Sequence, residues 1–137
     1  MAGMNTYVTP RLVQFSHDVL ADHAHHHETT TYKDHYLALQ PVFNLPVIRD
    51  WGHPGQAWYD RLGLAQVGTL CGQRGEPSLP CLVRHQDGSV GDGYVTGHLN
   101  THGVSLLRVG HPYRCPCCRF RINRAARAET QLAWAYF

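Results

Sequence analysis

The segment His111-Pro-Tyr-Arg-Cys115-Pro-Cys117-Cys118-Arg-Phe120 gathers three of the chain's five cysteines within four residues of one another, beside a histidine and two arginines. Three chemistries are open to it. Cys117 stands at the start of a segment that Pro116 can open as a helix. Helix-end amides and the macrodipole favour an anion there, so Cys117 is placed to become a thiolate nucleophile. Arg114 and Arg119 push in the same direction. A histidine from an earlier segment, His35 first and His98 second, would complete a Cys–His pair. The second chemistry is zinc: Cys115 and Cys118 have C-x-x-C spacing, His111 lies four residues upstream, and Cys81 or Cys71 can close a tetrahedron. The third is thiol–disulfide exchange through the same C-x-x-C, ranked last because no βαβ pattern precedes it. Against these stands plain packing of small cysteines under a helix, which weighs equally with function for Cys71 and Cys81 and less for the 115–118 cluster. Because the zinc ligands come from scattered segments, the expectation is a chain with no cofactor, with zinc on His111, Cys115, Cys118 and Cys81 as the alternative.

The elements that must position these residues come from 137 residues, room for one domain spanning 1–137. At 43% apolar and 16% charged, the chain can bury a core and is not compositionally disordered. No apolar run is long enough for a transmembrane segment. An odd cysteine count without a signal-peptide pattern points to a reducing compartment. Charge is divided along the chain: residues 1–100 carry net −3 and residues 101–137 net +5. The basic end, with Arg121, Arg124 and Arg127, can meet phosphates, and Trp134, Tyr136 and Phe137 lie nearby for stacking; a solvated helix face and a packed apolar edge are the plainer readings.

β-formers and turn residues suggest strands. Residues 4–20 read as strand-like, with Pro10 at an edge or turn, and residues 22–31 read as a histidine-rich loop. Residues 32–43, with Tyr36, Leu37, Leu39, Val42 and Phe43, read as the best strand, carrying His35. Residues 67–72, 81–84, 94–99 and 103–109 read as further strands, with a hairpin turn in QDGSVGDG. A short helix is expected at 55–64. A long one is expected at 116–134, with Cys118, Ile122, Ala125, Ala126 and Ala133 on one stripe and the arginines off it. The order implies an α+β fold with a mostly antiparallel sheet packed against a C-terminal helix.

Two segments together carry a resemblance. Asp34-His35-Tyr36-Leu37-Ala38-Leu39 resembles the H-box of the H-box/NC proteins, and Cys117-Cys118-Arg119-Phe120 running into Ile122-Asn123-Arg124 resembles the NC box. Cellular members are acyltransferases of the lecithin:retinol acyltransferase type, related to NlpC/P60 proteins, with a permuted papain-like fold; viral members include picornavirus 2A proteins, and the chain looks most like the kobuvirus type. The resemblance implies a non-proteolytic viral protein of the host cytoplasm that supports RNA replication and encapsidation. It also implies partners among viral replication proteins, viral RNA and host factors, with attachment to replication membranes through those partners. It places His35 on a central strand facing Cys117, with His98 as a weak second histidine. Pro116 replaces the asparagine of the NC box and no secure second histidine follows the H-box, so a degraded catalytic centre with a partly buried Cys117 is expected. The alternative is a thiol acyltransferase or phospholipase using Cys117 and His35.

Overall fold

The structure, a computed structural model, describes residues 7–54, 58–111 and 115–137. In order along the chain, α1 spans Pro10–His25, β1 Thr30–Thr31, α2 Tyr32–Phe43, α3 Leu64–Arg74, β2 Val83–Arg84, α4 Asp92–His102 and α5 Pro116–Tyr136. One-turn 3-10 helices at Trp58–Leu62 and Leu79–Leu82 connect them. The expected α+β, papain-like architecture is corrected: the described residues are mostly helical, and their sheet is two parallel two-residue strands, Thr30 beside Val83 and Thr31 beside Arg84.

The reason lies in periodicity and caps. In α1, Leu12, Ser16, Leu20 and Ala24 are all buried at a spacing of four, a helical face that the β-formers Val13 and Phe15 mask. Thr9 caps it, its hydroxyl accepting from the Leu12 amide at 3.2 Å, and Pro10 occupies the first turn rather than a strand edge. The helix then runs through His23 and His25, residues expected in a loop. The expected best strand is α2. Thr31 caps it by accepting from the Asp34 amide at 3.1 Å, a Thr-x-x-Asp start signal, and buried His35, Tyr36 and Leu39 follow at helical spacing. Pro41 sits near the end, and Asn44 closes the helix in the left-handed region at φ 52°.

The segments 67–72 and 94–99, expected as strands, lie in α3 and α4. These two helices cross with almost no space between backbones. A β-carbon built on Gly68 would lie 2.4 Å from the Gly97 carbonyl oxygen, and one on Gly72 would lie 2.8 Å from that of Thr101. The Thr101 hydroxyl lies 2.8 Å from the Gly68 carbonyl oxygen of α3 and 2.8 Å from that of Gly97 in its own helix, and Asn100 Nδ2 donates across the crossing to Ala65 O at 2.9 Å. Of the expected 81–84 strand only Val83 and Arg84 remain extended, and 103–109 forms no strand. The expected hairpin is a local turn after β2, closed by the His85 amide donating to Ser89 O at 2.7 Å. The expected helix at 55–64 is reduced to the turn Trp58–Leu62, with 55–57 outside the described residues, as is the start of the 4–20 segment.

The C-terminal helix is present as read. Cys118, Ile122, Ala126 and Ala133 are buried and Ala125 is half-buried, while Arg121, Arg124 and Arg127 are exposed. No helix among the described residues is long and apolar enough to cross a membrane.

Candidate metal centre

Gly110 sits in the left-handed region at φ 78°, and the His111 amide donates to Arg108 O at 2.9 Å. Cys115 is the residue before the first turn of α5, and Pro116 opens it. This arrangement converges four side chains. His111 Nδ1 lies 3.4 Å from Cys115 Sγ and 3.6 Å from Cys117 Sγ, and the two sulfurs are 3.0 Å apart. Cys118 joins them, with one ligand atom from each of the four residues within 4.8 Å of the others. Cys118 is buried, Cys115 half-buried, and His111 and Cys117 exposed, so the group has a closed floor and an open top.

The distances fit tetrahedral zinc. With Zn–S near 2.3 Å and Zn–N near 2.0–2.1 Å, nitrogen and sulfur ligands sit about 3.6 Å apart and two sulfurs about 3.8 Å apart. The nitrogen–sulfur separations already match. The sulfur pair is the short edge, and a metal between them would open it by roughly 0.8 Å. Proton affinity favours the same chemistry. The Cys115 thiol is drawn down to about 6, first by the Cys117 thiol, then by the Cys118 amide and His111; the same pair interaction pushes Cys117 up. A cation would supply the charge that lets both ionise. Arg114, expected to act on this thiol, lies outside the described residues.

Cys81, the expected fourth ligand, is elsewhere. It is buried in the Leu79–Leu82 turn, where burial pushes its thiol up to about 12; Cys71 is likewise buried and pushed up to about 12. Cys117 occupies the place given to Cys81. The signal was present in the sequence, since on a helix starting at Pro116 the adjacent Cys117 and Cys118 can both reach a ligand at Cys115.

The Cys–His pair is not formed. His35 is fully buried on α2, not on a central strand, with Nε2 2.7 Å from Ser16 Oγ. Ser16 donates its own proton to Leu62 O at 3.0 Å, so His35 Nε2 is the donor to Ser16 and Nδ1 keeps a bare lone pair with no partner. Burial holds this imidazole neutral, its pKa lowered to about 3. Neither nitrogen bonds a cysteine, and Ser16 is not activated by His35. Cys117 is exposed rather than partly buried.

His98 lies on α4, not on a strand, and gathers with His102 and Glu129. Burial lowers the His98 pKa, which the neighbouring Val104 carbonyl opposes. A third group, His17, Cys71 and Glu76, is internally satisfied. His17 Nε2 is 2.7 Å from Glu76 Oε1 and Nδ1 is 3.0 Å from Asp18 Oδ1, so both ring nitrogens are engaged. Arg124 stacks over Phe120 at 5.8 Å.

Comparison with family models, with curated proteins and with solved structures finds no match.

Proposed function

We propose that the chain is a zinc-stabilised binding module. His111, Cys115, Cys117 and Cys118 hold the ion at the start of α5, and the arginines of that helix meet a phosphate-bearing partner. The observation that carries the reading is the convergence of one imidazole nitrogen on two sulfurs at 3.4 and 3.6 Å, with Cys118 beneath. A closed set of four protein ligands is the structural type of zinc site, in which the metal organises a local fold rather than a reaction. Three thiolates, a neutral imidazole and a dication carry net −1, a charge that the N-terminus of α5 and Arg119 favour. Arg121, Arg124 and Arg127 then project from a helix whose first turn the metal fixes. Their guanidinium forks suit phosphate oxygens, and RNA is the partner class with which the sequence's charge division agrees.

Two readings from the sequence motifs stand differently. The acyltransferase reading needs a thiolate paired with His35, and His35 is fully buried with Nε2 on Ser16 and neither ring nitrogen bonded to a cysteine. The role in viral RNA replication and encapsidation that the H-box/NC resemblance implies rests on the two short motifs, and it would use the same arginine face. The test is zinc analysis of the purified full chain by native mass spectrometry. Zinc that Cys117→Ser and His111→Ala each release from this site supports the proposal. A folded wild-type chain whose zinc content neither substitution changes overturns it.

A further inference from the structure

The last turn of α4 carries His98 and His102, four residues apart and therefore on one helix face. Their ring centroids are 4.7 Å apart. Glu129 of α5 meets them there: its Oε1 is 2.8 Å from His102 Nε2, and its side chain is only 6% exposed. One ligand atom from each of the three residues falls within 4.8 Å of the others. His98 Nδ1 lies 2.9 Å from the Val104 carbonyl oxygen, which can only accept. That nitrogen therefore carries the proton, and the ring's lone pair is left on Nε2. An imidazole fixed through Nδ1–H to a backbone carbonyl is the arrangement that orients metal-ligating histidines.

We propose that His98, His102 and Glu129 form a second divalent-metal site, of the zinc class, with three protein ligands and an open fourth position. Two imidazoles and a carboxylate are a zinc donor set, and three protein ligands leave room for a water or a partner's side chain. Zinc ligands of this kind sit about 3.4 Å apart, so the 2.8 Å contact between His102 and Glu129 opens by roughly 0.6 Å as the ion replaces the hydrogen bond. The proton on His102 Nε2 would move through solvent to Nδ1, so that the ring stays a neutral imidazole and the freed Nε2 lone pair takes the ion in place of the hydrogen bond to Glu129. The buried carboxylate then faces a cation, and α4 becomes tied to α5 through coordinate bonds. The site shares no ligand with the cysteine centre. The crossing of α3 and α4 at Gly68 and Gly97 holds the histidine-bearing helix in place.

The test uses the full chain in two backgrounds. In Cys115→Ser/Cys117→Ser, which leaves the cysteine centre two ligands short at half-exposed and exposed positions, one zinc per chain should remain by native mass spectrometry. Adding His98→Gln should weaken that zinc by at least about tenfold in a chelator competition. Cobalt in this background should give ligand-field bands without sulfur charge transfer. In the otherwise wild-type chain, His98→Gln should lower the zinc content by one and leave any thiolate–cobalt band unchanged. This second comparison decides the matter if the serine variant does not fold. A folded serine variant that binds no zinc, or wild-type zinc content that His98→Gln and His102→Gln both leave unchanged, overturns the proposal. Failure of the cysteine centre reads differently, as loss of the thiolate band while the histidine-dependent zinc persists.

Discussion

Two kinds of titrating group govern what single residues can do. Cys115, with its pKa near 6, is ionised at neutral pH, while Cys71 and Cys81, near 12, are not. Metal-free protein treated with iodoacetamide should therefore be alkylated first at Cys115, with a rate that rises through pH 6, and Cys71 and Cys81 should react only on unfolding; peptide mapping against pH measures this. His35 works in the opposite sense. Its folded pKa of about 3 lies below the ordinary 6.5, so between those values the unfolded state binds the extra proton and stability rises with pH. Lowering pH from 7 to 5 should cost about 2 kcal/mol through this one group. Urea melts at the two pH values check it: the loss should shrink in His35→Gln, and an unchanged loss would show that His35 is not the group responsible. Single residues in the sequence were informative about the cluster at 111–118 and less so about its membership. Cys81 resembles Cys115 in type, and only the fold reveals that it faces the core.

Among the elements, the long α5 was legible and the other helices were not. Val13, Phe15, Tyr36 and Val42 favour strands when read by propensity, whereas the buried spacing of Leu12, Ser16, Leu20 and Ala24 is that of a helix. Ser16 at a core position hid that period, because a hydroxyl interrupts the apolar stripe unless its partner, here His35, is known. The start signals Thr9-Pro10 and Thr31-x-x-Asp34 were there to be read. Strand propensity over 94–99 also conceals the pairing of His98 with His102, since residues four apart stand one turn from each other on a helix and far apart along a strand. The element most sensitive to substitution is the α3–α4 crossing. Gly68→Ala inserts a methyl 2.4 Å from the Gly97 carbonyl oxygen, with backbone on both sides and no side chain to move aside. It should destabilise the chain by about 2–3 kcal/mol in chemical denaturation, whereas Gly88→Ala meets no atom within 4 Å and is disfavoured only by its φ of 86°.

Over the molecule as a unit, positive charge and the proposed metal ligands are concentrated toward the C-terminal end. The exposed arginines of α5 start within a few residues of the cysteine centre, so the cysteine cluster and the basic face belong to one region. Replacing Arg121, Arg124 and Arg127 by Ala should lower RNA affinity and flatten its salt dependence by about one unit of slope for each phosphate left unneutralised. Filter binding across a salt series measures both, and a triple variant with unchanged affinity and slope would remove α5 from the interface. This division of charge was visible in the sequence, because it depends on composition and not on fold. The architecture was not, because helical and sheet arrangements of a small core draw on the same apolar residues. Whether three cysteines and His111 bind one ion is decided by cobalt substitution of the full chain. A tetrahedral cobalt spectrum with intense thiolate charge transfer is expected, strongly reduced in Cys117→Ser and in Cys115→Ser. A folded chain whose cobalt spectrum lacks sulfur charge transfer, or keeps it unchanged in both variants, would refute the cysteine centre.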